Sequence, residues 1–196
     1  GFINEIGFET YQKIMNEAIE ELKENEFKEL YESESDIDTK EYVKELQIDT
    51  DFELLFPDEY INNISERLNL YNELGNLKTE EELQVFETKL IDRFGPLPKE
   101  AKALLNSIRI KWIATHMGIE KIVMKQGKLI GYFVSDQQSD YYNSRQFSKV
   151  LRFVQLHGNL CKMKEKETKN GLRLLLTFDN VKSISRALEF MELMAQ

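Results

Sequence analysis

The run Asp92-Arg93-Phe94-Gly95-Pro96-Leu97-Pro98 constrains this chain more than any other stretch, because no helix passes through it. Gly95 supplies the left-handed conformation that closes a helix, Pro96 forbids continuation, and Pro98 suits the first turn of the next one. Upstream, Thr79-Glu80-Glu81-Glu82 forms a capping box: the threonine oxygen accepts from an early helix amide and Glu82 reaches back to the cap amide. A helix therefore spans the interval from the box to Gly95, with Leu83, Phe86, Leu90 and Phe94 as its apolar residues. A second runs from Pro98 to a cap at Gly118 and carries Ala101, Leu104, Leu105, Ile108, Trp112, Ile113 and Met117, the pattern of a central core helix.

Hydrophobic period organises the remainder. Phe8, Tyr11, Ile14, Met15, Ala18, Ile19 and Leu22 fall on one face of an amphipathic helix. The acidic, irregular segment that follows covers that stripe poorly, so residues 1–30 read as an element separated from its neighbours and 31–40 as an acidic linker. Tyr42 to Asp49 alternates like a half-buried strand, with Val43 out of register or at an edge, and Pro57 ends the extended stretch. Ser65 is a good N-cap for a short helix whose stripe is Leu68, Tyr71 and Leu74. After Gly118 the period changes. Strands on either side of Gln126-Gly127 and of Lys169-Asn170-Gly171 read as two hairpins. A polar loop covers Ser135 to Asn143; helices follow from Ser144 through Phe147, Val150, Leu151, Val154 and Leu156, and from Ser183 to Met194. The expected fold is α+β: helices packed on a small, mostly antiparallel sheet, with the N-terminal amphipathic helix appended.

At 196 residues and 41% hydrophobic content the chain is long enough to bury a core. It has no apolar run of membrane-spanning length and no basic-then-apolar leader, and its one cysteine, Cys161, builds neither a disulfide nor a cysteine zinc site, so a cytoplasmic protein is expected. The formal charge of −9 argues against a general nucleic-acid binder. Acid is concentrated, however: Glu17 to Glu59 holds 17 acidic residues against 4 lysines, leaving 60–196 at +5.

No phosphate-cradling glycine motif occurs, so the chain alone is not expected to hydrolyse ATP. His116 and His157 stand at helix ends, where capping explains them. Cys161 lies in a strand without an evident base, and the abundant carboxylates are no sign of acid–base work, which leaves a small hydrolase with little in its favour. No catalytic, cofactor-binding or metal-ligating residue is expected. Tyr141, Tyr142, Arg145, Phe147 and Arg152 interleave aromatics with cations in a manner compatible with base stacking, but Phe147 fits a buried stripe. An independent nucleic-acid-binding module stays open as the alternative.

The run from Asp92 to Pro98, with Leu90-Ile91 and the Glu80-Glu81-Glu82-Leu83 opening, resembles the C-terminal domain of bacterial transcription-repair coupling factors. Phe56-Pro57-Asp58-Glu59-Tyr60-Ile61 followed by Glu66 to Tyr71, and Leu104 to Gly118-Ile119, a long helix with its end, resemble the same family. Gly1 to Tyr11 resembles the tail of its translocation motif, the end of the helicase portion. The resemblance implies a domain organisation of translocase-module end (1–30), linker (31–40) and C-terminal regulatory domain (41–196). It implies a longer parent that translocates on double-stranded DNA with ATP and magnesium, displaces stalled RNA polymerase and recruits nucleotide-excision repair through UvrA. In this family the C-terminal domain is an autoinhibitory element that docks on a UvrB-like N-terminal domain and covers the UvrA-binding surface. By the same resemblance, Lys89, Asp92 and Arg93 are the partner-docking residues, Lys89 standing where the family often has Glu. Phe8, Tyr11, Ile14 and Met15 would pack against the motor.

Overall fold

The structure, a computed structural model, describes residues 41–196, which form one compact unit. The expected N-terminal helix, with Phe8, Tyr11, Ile14 and Met15, and the expected linker lie outside the described residues. The elements are β1 (Gln47–Thr50), α1 (Ile64–Asn76), α2 (Glu80–Phe94), α3 (Lys99–His116), β2 (Ile119–Lys125), β3 (Lys128–Phe133), a 3₁₀ turn (Asp140–Asn143), α4 (Arg145–Leu156), β4 (Cys161–Thr168), β5 (Gly171–Phe178) and α5 (Ile184–Ala195). The α+β architecture is the one expected.

Local chemistry sets the helix ends. Thr79 accepts from the Glu82 amide at 3.2 Å to open α2, and Gly95 at φ 89° closes it. Ser144 and Ser183 cap α4 and α5, accepting from Phe147 and Arg186. Gln126 and Gly127 both have positive φ, the backbone of a two-residue hairpin turn whose twist matches the flanking strands.

The sheet order is β1-β2-β3-β5-β4, antiparallel except that β1 runs parallel to β2. One face buries Ile122, Met124, Leu129, Phe133, Cys161, Leu176 and Phe178 against α3, α4 and α5. A second core joins Leu70 and Leu74 of α1, Leu83, Phe86 and Leu90 of α2, and Ala101 and Leu105 of α3, with Phe56 and Ile61. α3 spans both: its first half belongs to the helical trio and its second half, Ile110 and Ala114, to the core beneath the sheet. Among the described residues no helix is long and apolar enough to cross a membrane.

Several local expectations are corrected. Asn63, not Ser65, caps α1, its side chain accepting from Glu66 at 3.0 Å. The buried residues of α1 are Leu70 and Leu74, whereas Leu68 is exposed. Glu82 reaches the Lys78 amide rather than that of Thr79. Pro98 is the N-cap of α3, one position before the first turn. β1 is shorter than expected, and Val43 is a core residue, not an edge one. In α4 the buried positions are Gln146, Val150 and Phe153, whereas Leu151 and Leu156 face solvent. The loop after β3 contains the fully buried Tyr141.

Candidate functional site

α1 and α2 lie side by side with their polar edges matched. Lys89 places Nζ 3.0 Å from both carboxylate oxygens of Glu73, and Arg93 pairs with Glu66 while its guanidinium lies 4.9 Å from the centroid of the Phe94 ring. Glu66 and Glu73 are two turns apart on α1, and Lys89 and Arg93 one turn apart on α2, so both pairs form across one helix–helix seam. A shallow cavity of about 420 Å³ lies along it.

The end of α2 is fixed from outside. Tyr60 donates its hydroxyl to the Gly95 carbonyl at 2.8 Å, and Arg67 donates to Ile61 O at 2.9 Å while pairing with Asp58 at 2.8 Å. At the other end, Arg109 of α3 donates Nε and Nη2 to the Glu80 carboxylate at 2.9 and 2.8 Å. Those hydrogen bonds hold the Glu80 carboxyl below its ordinary range, outweighing the upward push of burial. α2 is thus a braced platform.

Of the three expected docking residues, Lys89 and Arg93 are engaged in these pairs. Asp92 is exposed and has no hydrogen-bond or ion-pair partner among the described residues. Val85, Lys89 and Asp92 share a face by their four- and three-residue spacing, and Val85 is 70% exposed. The structure therefore separates the expected trio into a brace, Lys89 and Arg93, and one uncompensated carboxylate, Asp92. Glu66 and Glu73 were missed as members of this site. Their signal was the seven-residue interval on α1, which needs the neighbouring helix to be meaningful.

The groups considered for chemistry are placed elsewhere. Cys161 is buried, its thiol pushed up by burial, with Sγ 3.6 Å from the His157 carbonyl. His157 lies against Phe153, ring centroids 4.5 Å apart, and His116 is exposed. Tyr141 is enclosed and donates to the Met117 carbonyl, so it is not a surface for stacking bases; Tyr142 donates to Val134 O. Among the described residues no group of three or more His, Cys, Asp or Glu is placed to hold a metal ion.

The family model of the TRCF domain matches residues 50–144, from the end of β1 through the helical trio to the cap of α4. The transcription-repair-coupling factor of Staphylococcus haemolyticus (strain JCSC1435) is 30% identical over 194 residues, which is 96% of this chain and 15% of that protein. The corresponding protein of Rickettsia conorii (strain ATCC VR-613 / Malish 7) is 29% identical over 164 residues, 84% of this chain and 13% of that protein. The chain thus spans about 15% of the length of such relatives. A crystal structure of the C-terminal domain of transcription-repair coupling factor shares the fold, with a TM-score of 0.59 at 16% identity over 77% of this chain and 89% of that one. The sequence carries a TRCF domain, and the chain belongs to the transcription-repair-coupling factor family.

Proposed function

We propose that residues 41–196 are a regulatory, autoinhibitory lid: a domain without catalytic chemistry that docks on a UvrB-like domain of its parent and covers the surface used to recruit UvrA. In this reading the parent is a DNA translocase. ATP and magnesium belong to its motor, as do the contacts with double-stranded DNA and stalled RNA polymerase. Residues 1–30 are the end of that motor module, where Phe8, Tyr11, Ile14 and Met15 pack.

The observation that carries the reading is Asp92, an unpaired carboxylate two turns from exposed Val85 on the same face of a helix braced at both ends. An exposed carboxylate is stable in water and loses little when uncovered, and a rim charge that meets a cation sets register more than affinity. The Lys89–Glu73 and Arg93–Glu66 pairs already link α1 to α2, which lowers the ordering penalty on docking. Such an interface is reversible. Each tenfold change in exposure of the covered surface corresponds to about 1.4 kcal/mol, within reach of a motor rearrangement.

The test is calorimetric titration of this chain with the UvrB-like domain of its own parent. Asp92→Lys is expected to weaken binding about tenfold, or ~1.4 kcal/mol, with Lys89→Glu weakening it through loss of the brace. Unchanged affinity in Asp92→Lys would remove this face from the interface, and no binding by the wild-type chain would remove direct docking altogether.

A further inference from the structure

The sheet has two faces, and only one is covered by the helices of this unit. Strand registers place two rows across the open face: Gln47, Lys121, Tyr132, Leu175 and Lys164 in one, and Asp49, Val123, Ile130, Thr177 and Lys162 in the next. Lys125 pairs with Lys128 beyond one row and Arg173 with Lys166 beyond the other. The face therefore carries six lysines and one arginine. Asp49 lies on it and pairs with Lys125 at 2.9 Å, and Glu120, in the bulge of β2, pairs with Arg173 at 2.8 Å. Lys121 and Arg173 stand 5.5 and 5.3 Å from the Tyr132 ring centroid, and Lys128 lies 4.0 Å from Asp179. Lys162, Lys164 and Lys166 are exposed and have no acidic partner among the described residues.

We propose that this open face is a docking surface for the sugar–phosphate backbone of a nucleic acid, distinct from the α1–α2 face and independent of the regulatory reading. Lysines on an edge strand also discourage strand addition, which accounts for β4. That role does not explain Lys121, Lys125 and Lys128, which belong to the interior strands β2 and β3. Successive β4 lysines lie two residues apart, roughly 6.8 Å along the strand, and so present an evenly spaced row of cations to a repeating phosphate backbone. Lysine is a point charge suited to phosphate oxygens, whereas recognition of protein carboxylates favours the bidentate fork of arginine. The one arginine here is already committed to Glu120. At the β4 end, Lys128, Lys162, Lys164 and Arg186 line a cavity of about 460 Å³ together with one carboxylate, Asp179, and Arg186 is paired with Glu189 at 2.7 Å. A net charge of −9 conceals this surface because the acid of the sequence is concentrated between Glu17 and Glu59.

The experiment is fluorescence anisotropy of the full 196-residue chain with a labelled DNA duplex, and in parallel a single strand, titrated at 50 and 200 mM salt. With five phosphate contacts, from Lys121, Lys128, Lys162, Lys164 and Lys166, the duplex affinity is expected to fall roughly 500-fold between those salt concentrations. In the variant with Lys162→Gln, Lys164→Gln and Lys166→Gln together, two contacts remain and the fall is about 12-fold. A control carrying Lys78→Gln, Lys99→Gln and Lys102→Gln keeps the wild-type slope, and both variants keep the wild-type melting temperature. A single strand follows the same pattern with a slope of about −0.7 per contact, so the two probes tell which form the face takes. No binding at 50 mM salt, equal slopes in the two variants, or stronger binding of polyglutamate than of either DNA would overturn the proposal.

Discussion

Gly118 and Tyr141 form a close contact that the sequence hides. Gly118 has φ 84°, and a Cβ added there would stand 2.1 Å from the Tyr141 ring. That ring is fully buried beside Tyr42, Phe133, Tyr142 and Phe147, and its phenol donates to the Met117 carbonyl at the end of α3. Burial pushes the phenol far above its ordinary range, so it stays a donor at every working pH. Gly118→Ala therefore combines left-handed backbone strain with a displaced ring, and should lower unfolding stability by about 2–4 kcal/mol in urea titrations. A loss below about 1 kcal/mol would mean that the ring moves aside freely. Gly118 was legible as a helix cap, whereas Tyr141 was not legible as core. Two adjacent tyrosines among polar loop residues have no period to reveal which is buried, and the contact that anchors Tyr141 comes from chain more than twenty residues earlier.

Among the elements, α2 was the most legible because both of its ends are written in neighbouring residues: Thr79 at the start, and Gly95 with Pro96 at the stop. α1 was read less well. Asn63 and Ser65 are both competent caps two residues apart, and Leu68 and Leu70 both offer an apolar partner near Leu74, so neighbouring residues alone do not say which is buried. α2 also offers a test through its link to α3. Glu80 has its carboxyl lowered first by the hydrogen bonds from Arg109, so its contribution is fully present above the ordinary value of 4.5 and is lost as pH falls through the lowered folded value. The carboxylate is 44% exposed, and solvent screening limits the contribution to about 0.5–1 kcal/mol. Glu80→Gln should thus be less stable than wild type by that amount at neutral pH, and the two should converge in acid below the carboxylate range. A gap that persists unchanged there would place the effect in packing instead of charge.

For the whole molecule, periodicity and turn chemistry disclosed the α+β class and both hairpins, because each is local. What stayed hidden is pairing at a distance. β1 finds β2 in parallel, Ile48 beside Ile122, across the entire helical trio. The strand order that puts β5 between β3 and β4, and so gathers lysines from three strands onto one face, is likewise a property of the assembled sheet. At the proposed docking site the resemblance marked Lys89, Asp92 and Arg93 together, but their division into brace and free carboxylate required α1 to be in place. The proposed lid makes its plainest demand on the parent protein: remove residues 41–196 and measure UvrA affinity beside ATP turnover. The account predicts that both rise at least about tenfold, corresponding to ~1.4 kcal/mol of released cover; a truncated parent that binds UvrA no better than the intact one would contradict it.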